Sequence, residues 1–426
     1  MKVLIIAMYH PELVRGGSQQ VAHELFQALR DTPGVAPTLL CSADHNSPAM
    51  FKSGARITGF DGRPDEFLFL SHDYDYVWQK LPLPLQAEAF FDFLRRLQPD
   101  VVHFHHFMTY GIDYLSLARS ALPAAKIVFT AHEFLTICAL DGHMVRKTDG
   151  ALCDKASQVR CHQCLPQRSP EEFFLREHWM KAHLAVVDLF TVPSRFMIQK
   201  FADWGLQAAK FRHVPNGLEL PAPVRETAPA RRNRFGFFGQ LIDVKGIHVL
   251  LEAVTILRAE GFSDFSLEIN GENMHFASPQ RRQEMEAFFA KEAAKPLEAQ
   301  HVRFNGGYHH SQLAARMARV DWVVVPSTWW EIFCLVISEA WACGRPVIAS
   351  NKGGPAERIA DGETGLLFEL GDARALAETM RRAATEPKLW DKMHRAITPP
   401  PGRAEMAAQY LDIYKDLLGA PSLAAR

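Results

Sequence analysis

No stretch of this 426-residue chain approaches the roughly 20 apolar residues needed to span a bilayer. The apolar start, Val3 to Ala7, is too short for a secretory core and is soon broken by His10, Pro11, Glu12 and Arg15. A first buried strand is the better reading, and the protein is expected to be made and kept in the cytoplasm. Charge of one sign is also lacking. Lys+Arg (47) and Asp+Glu (48) nearly cancel, so nothing in the balance calls for a nucleic-acid partner. Cysteines are few and odd in number, seven, and in a cytosolic protein they are not expected to form structural disulfides. There is no internal repeat and no low-complexity tract. An Asp-x-Asp metal motif is missing from the expected strand ends.

Apolar residues make up 48% of the chain, enough to bury substantial cores, and the length suggests two or three domains. Short apolar runs alternate with helical patterns, as in parallel sheets with crossover helices. Strands are expected at Lys2–Ala7, Thr38–Ser42, Val101–Phe104, Lys126–Thr130 and Leu189–Val192, with a first helix at Ser18–Arg30. After a linker-like stretch, Val214-Pro215-Asn216-Gly217 with Pro221 and Pro223, the pattern restarts. Strands then fall at Phe235–Phe238, Ser266–Ile269, His301–Phe304, Trp322–Val325 and Pro346–Ala349, with helices at Val249–Arg258 and Leu335–Cys343. The boundaries are 1–213 for a first α/β domain and 214–400 for a second. Residues 401–426 hold a last helix, roughly Ala404–Leu418, whose domain membership spacing alone does not settle; packing back on the first domain is one of the placements open to it.

The second half carries the most specific chemistry. Ligands of open parallel sheets bind beyond the carboxyl ends of strands, where helix N-termini point amides outward. Val323-Val324-Val325-Pro326-Ser327 ends a strand, and a helix should begin near Phe333–Leu335, whose amides could cradle a diphosphate. Glu331 stands just outside the helix mouth. Glu339 lies one to two turns inside it, at about 1.5 Å rise per residue. Two carboxylates so placed can accept hydrogen bonds from hydroxyls at different ends of one extended ligand.

These residues resemble family 4 of the retaining glycosyltransferases. The match is Glu331, seven residues, then Glu339-Ala340. It continues through Ala342-Cys343-Gly344-Arg345-Pro346, Gly353-Gly354-Pro355 and Gly362-Glu363-Thr364-Gly365. Upstream, Gly236-Phe237-Phe238-Gly239-Gln240-Leu241, Lys245-Gly246 and Gly271 also match. The resemblance implies the GT-B fold, two Rossmann-like doubly wound domains facing across a cleft. It implies a retaining, metal-independent hexosyltransferase that uses a UDP-, GDP- or ADP-sugar and needs no cofactor for catalysis. The acceptor would be a glycan or a lipid-linked glycan, in cell-surface polysaccharide or glycoconjugate synthesis. By the same resemblance Glu339 holds the ribose, Glu331 the donor sugar near its reacting carbon, and Lys245 the diphosphate. Glu331→Gln is then expected to slow turnover while sparing folding. Two departures stand out. Gln240 replaces a frequent Arg, leaving Lys245 with more of the leaving-group charge, and Cys334 replaces a frequent Gly.

The first half contributes Gly16-Gly17 before the first helix, matching the family's glycine-rich loop, and His132 after a strand end, matching a histidine beside the donor sugar. In His103-Phe104-His105-His106, His103 and His105 share one strand face and could form a metal pair. The resemblance instead makes His105 and His106 lining residues on the acceptor side. Cys138, Cys153, Cys161 and Cys164 fall within the insertion 138–164, with Cys161-His162-Gln163-Cys164 forming a Cys-x-x-Cys knuckle. Four such thiols fit a structural zinc site, and unliganded free thiols are the other reading. The aromatic and cationic segment Glu171–Lys200 reads either as an amphipathic helix touching the inner face of the membrane or as core. The alternative to an enzyme is a weakened sugar-nucleotide-binding or scaffold protein, favoured by Gln240 and Cys334 and opposed by the remaining set.

Overall fold

The computed structural model describes residues 1–43, 54–220 and 231–419. It divides into two compact units, Met1–Glu219 with Pro401–Arg426, and Leu220–Pro400. The first holds an eight-stranded sheet in the order β3-β4-β2-β1-β5-β6-β7-β8. These strands are β1 (Lys2–Tyr9), β2 (Ala36–Ala43), β3 (Ile57–Phe60), β4 (Arg63–Leu70), β5 (Val101–Phe104), β6 (Lys126–Thr130), β7 (Leu189–Val192) and β8 (Phe211–His213). All neighbours run parallel except β3 and β4. That pair is a hairpin turned by Asp61 and Gly62, both at positive φ, the conformation an Asp-Gly turn supplies. No strand was expected there.

The second unit holds a parallel six-stranded sheet in the order β11-β10-β9-β12-β13-β14. Its strands are β9 (Arg234–Phe238), β10 (Ser266–Asn270), β11 (Val302–Gly306), β12 (Trp322–Val325), β13 (Val347–Ser350) and β14 (Gly365–Phe368). Covered on both faces, β12 and β13 are buried at every position, as parallel strands between helical layers must be. Phe235, Leu250, Leu267, Trp322, Leu376 and Trp390 lie in the larger of its apolar clusters.

The first unit runs past the boundary expected at 213/214. The stretch read as a linker is buried at Asn216 and Leu218. Leu218 bridges Gly402 in parallel, and a Cβ on Gly217 would collide with the Gly402 carbonyl. Pro221 and Pro223 lie outside the described residues. The last helix, Arg403–Leu417, packs on the helix Gly17–Arg30 of the first unit.

Glu171–Lys200 is not one helix. It comprises most of the helix Pro170–Leu184, the strand β7 and part of the helix Phe196–Asp203. The first of these buries Phe173, Arg176, Met180 and Leu184 and leaves Phe174 and Leu175 exposed. Among the described residues no helix is long and apolar enough to cross a membrane.

Candidate active site

In the second unit, β12 ends at Val325 and the chain loops through Pro326–Cys334 into the helix Leu335–Ala342. Glu331 sits in this loop, 6% exposed. Lys245 Nζ reaches both its carboxylate oxygens, at 3.1 and 2.9 Å. Ser327 Oγ and Trp329 Nε1 donate to Oε2, each at 2.8 Å. Burial alone would push the Glu331 carboxyl up, but Lys245, Ser327 and Trp329 outweigh it and hold it below its ordinary value. Burial likewise works against the Lys245 charge, and Glu331 overrides it, raising the ammonium. The two residues assigned to different parts of a ligand are thus an ion pair with each other. That revises the expectation that losing the Glu331 charge spares folding, since Lys245 would lose its counter-charge.

Lys245 is brought there by the turn before the helix Ile247–Ala259. Gly246 takes φ 70° and lies so close to Pro326 that a Cβ would collide with its carbonyl. Gly354 donates its N–H to the Glu331 carbonyl at 2.6 Å. Arg358 donates to the carbonyls of Phe333 and Cys334, both at 2.9 Å, and stacks over the Phe333 ring. Ser327, Trp329 and Arg358 were not foreseen as site residues. The Gly-Gly-Pro-Ala-Glu-Arg run was visible in the sequence, but its partner loop was not.

Cys334 caps the helix Leu335–Ala342 at φ 63°, ψ 85°. This left-handed conformation favours glycine, and a cysteine side chain in it costs about 1–2 kcal/mol. Its side chain is buried in the apolar cluster with Val325 and Ile337. The Phe333 and Leu335 positions flank it at the helix mouth. Glu339 lies further along this helix, 8% exposed. Its recorded ion-pair contact is a distant one, His310 Nδ1 at 4.0 Å, and burial lifts its carboxyl to about 7. Gln240 follows β9 and is half-buried. Gly271 follows β10 and sits against the Gly239 carbonyl, where a Cβ would collide.

In the first unit Gly16 caps the helix Gly17–Arg30 with extended backbone, φ −169°, so neither turn strain nor positive φ requires a glycine there. His132 follows β6 and is half-buried, with Nε2 3.0 Å from His105 Nδ1. His105 and His106, expected to line the acceptor side, are 1% and 4% exposed, so their rings are closed off from a ligand in this structure. His106 Nδ1 accepts from the Met108 N–H, and its Nε2 lies 3.6 Å from Glu133, whose carboxyl burial lifts to about 8. The notion of a His103–His105 metal pair fails because both His103 nitrogens are taken, by Tyr414 OH and Thr130 Oγ1, each at 2.6 Å.

The four cysteines of the insertion line one cavity together with Met144 and Phe173, and all are free thiols. Cys138 and Cys153 direct their Sγ atoms at the carbonyls of Leu140 and Lys155, both at 3.4 Å. Among the described residues, three or more ligand atoms lie mutually within 4.8 Å only at His10, His23 and Glu66. The sulfurs therefore share a cavity without being drawn together as one ligand set. His10 meets Glu66 at 2.8 Å through Nε2 while its Nδ1 accepts from the Glu12 N–H, which accounts for that cluster as a hydrogen-bonded pair. An Asp-x-Asp sequence does follow β4, the unforeseen strand, as Asp73-Tyr74-Asp75. Asp75 is occupied there, accepting from the N–H groups of Val77 and Trp78.

Comparison with known proteins now bears on both units. Residues 15–220 match the profile of Glycosyltransferase Family 4, and residues 223–398 match that of Glycosyl transferases group 1. The chain is a family 4 glycosyltransferase. This glycosyltransferase is 25% identical to the glycogen synthase of Mycobacterium tuberculosis over 93% of its own length and 89% of the relative's. It is 28% identical to the D-inositol 3-phosphate glycosyltransferase of Streptomyces avermitilis, over 70% of its length and 60% of the relative's. Among solved structures it resembles sucrose-phosphate synthase from Thermosynechococcus elongatus, with TM-score 0.72, 21% identity and coverage of 99% and 100% of the two chains. It also resembles Anabaena HepE in complex with UDP-glucose, with TM-score 0.62, 17% identity and coverage of 98% of each chain. These likenesses give the glycosyltransferase the GT-B fold.

Proposed function

We propose that this glycosyltransferase moves a hexose from a nucleoside diphosphate sugar to a glycan or lipid-linked glycan with retained anomeric configuration. The observation that carries the reading is the arrangement around the helix Leu335–Ala342. A charge-neutralised Glu331–Lys245 pair lies at its mouth, and a buried Glu339, whose ion-pair partner among the described residues is His310 at 4.0 Å, lies within it. Glu339 is suited to accept from ribose hydroxyls, and Glu331 to face the sugar carbon as positive charge develops there. Lys245 and the amides near Phe333–Leu335 would take the diphosphate, with Gln240 adding donors without charge. As the C1–O bond to the diphosphate breaks, the acceptor oxygen bonds to C1 on the same face. Its proton passes to the departing phosphate oxygen, so no protein base and no metal is needed.

HepE is solved with UDP-glucose and a plant starch synthase with ADP, which supports a glucosyl-type donor with a UDP or ADP leaving group; a GDP leaving group is the third arm of the test. A thermal-shift panel of UDP-, GDP- and ADP-glucose tests this, because a ligand of the native state raises stability with occupancy. One donor should raise the melting temperature and be slowly hydrolysed to the nucleoside diphosphate. NMR of the transfer product should show the donor's anomeric configuration. Binding without any turnover would favour the scaffold reading, and an inverted product would overturn retention.

Where this protein acts, in the cytoplasm or at the inner membrane face, follows in this reading from its donor. A structural zinc on Cys138, Cys153, Cys161 and Cys164 is a separable part of the proposal. It requires the sulfurs to close in from their shared cavity. Arg176, 3% exposed, supports it: its guanidinium donates to the carbonyls of Val77, Leu135 and Thr136 and lies in the field of Glu133, Cys138 and Cys161, so thiolates held on a zinc would add to its counter-charge. Protein purified without a His-tag should carry about one zinc per chain. No bound metal, with four freely titrating thiols, overturns it.

A further inference from the structure

His105 is buried beside His132, and its two ring nitrogens are unlike each other. Nδ1 lies 3.0 Å from His132 Nε2. Nε2 is fully buried and has no hydrogen-bond partner among the described residues. The ring is clamped on its other side by His103, at 4.2 Å between centroids. His103 is itself fixed by Tyr414 and Thr130, and Tyr410 OH is within hydrogen-bond distance of both Thr130 and Thr191. His105 therefore cannot swing away, and its backbone N–H is tied to the Ile6 carbonyl at 2.8 Å.

Burial keeps both imidazoles neutral, well below their ordinary range. Each ring then carries one proton, and the shared hydrogen bond allows two arrangements. If His132 donates, His105 must hold its proton on Nε2, leaving a buried N–H with no acceptor. If His105 donates from Nδ1, the unpartnered atom is only a bare lone pair. Orphaned buried donors are rarer than under-satisfied acceptors, so the second arrangement is favoured. It forces the His132 proton onto Nδ1. Among the described residues His132 Nδ1 has no hydrogen-bond partner, and unlike His105 Nε2 it is not sealed from solvent.

We propose that His105 is a positioning residue that fixes His132 as the Nδ1–H tautomer, so that His132 offers a donor to a hydroxyl or phosphate oxygen of the bound sugar nucleotide. Its effect on turnover rests on the transferase reading given above; the tautomer itself does not. The pairing follows from alternation on β5 and its continuation, which puts His103 and His105 on one face, with β6 delivering His132 from the neighbouring strand.

The test uses full-length protein labelled with nitrogen-15 at histidine. The His132 signals should show Nδ1 protonated and Nε2 bare. His105→Phe keeps the ring and its stacking but removes the donor, and His105→Asn keeps an amide N–H near the Nδ1 position. The Phe variant should raise the donor KM about tenfold, one hydrogen bond's worth, with kcat little changed. The Asn variant should return KM to within about twofold of the unsubstituted enzyme. A purely structural role would lower the active fraction, and so kcat, without moving KM. Nε2-protonated His132 in the unsubstituted protein overturns the proposal, as does an Asn variant no better than Phe. If no sugar transfer is found at all, the spectrum still decides the tautomer, so the two readings fail separately.

Discussion

Glu331 and Glu339 lie eight positions apart in one loop and helix, both buried, and their surroundings are opposite. Around Glu331, Lys245, Ser327 and Trp329 fill the carboxylate's acceptor sites, and they hold its charge against burial. Around Glu339 the ion-pair partner among the described residues, His310, is 4.0 Å away, and burial raises its carboxyl. A buried carboxylate with partners is part of the architecture as well as the chemistry. One without them is a cost the fold carries, and ligand hydroxyls are able to relieve that cost. The difference separates a residue whose orientation is preset from one whose partners come with the donor.

The largest expected effect breaks the Glu331 side. Glu331→Gln should lower turnover by about 10²–10³-fold, the range for losing one preorganised electrostatic contact. It should also cost roughly 1–3 kcal/mol of stability, because Lys245 loses its counter-charge. Urea denaturation of Glu331→Gln, Lys245→Met and the double variant checks the pairing. The double variant should be less destabilised than the sum of the two, and simple additivity would show that the pair is not coupled.

The Glu339 side should appear as a pH effect. Its folded value of about 7 lies above the ordinary 4.5, so between these the folded state binds more protons than the unfolded one. Stability is then greatest below about pH 4.5 as far as this group is concerned and is lost as pH rises towards 7, by roughly 3 kcal/mol at most. Glu339→Gln should remove that slope, leaving the variant relatively more stable at pH 8 than at pH 5 in paired urea titrations. An unchanged slope would show that Glu339 is already solvated.

Much of this was legible in the sequence because it is local. Strands β5, β6, β7 and β12 fall at their expected residues, since each is a short, largely apolar run buried at all or nearly all of its positions. The hairpin β3–β4 escaped because its mixed composition, Arg63-Pro64-Asp65-Glu66, hides a strand whose Asp61-Gly62 turn was the better clue. Glu331, Glu339 and Lys245 were found as single letters of a motif. That Lys245 grips Glu331 was not legible, because the pair is 86 residues apart and only the β9–β12 neighbourhood joins them. The same holds for Arg358 on the Phe333 and Cys334 carbonyls. His105 and His106 were placed on the correct strand end, but alternation could not say that other side chains would cover both rings.

A smaller effect sharpens the helix mouth between the two carboxylates. Cys334→Gly removes left-handed strain of about 1–2 kcal/mol but also gives up a small buried side chain of similar worth. The melting temperature should therefore move little, while donor affinity holds or improves. A large loss of affinity would show that the thiol itself contacts the donor.

The division between the two carboxylates is tested most directly by calorimetric titration at pH 7 with the donor selected in the thermal-shift panel, in buffers of different ionisation enthalpy. If ribose hydroxyls bond to Glu339, its carboxyl is driven back towards the ionised form, and binding releases a fraction of a proton. The apparent enthalpy should then depend on the buffer for the unsubstituted enzyme and for Glu331→Gln, and not for Glu339→Gln. A buffer-independent enthalpy for the unsubstituted enzyme, or the same dependence in Glu339→Gln, would contradict the account.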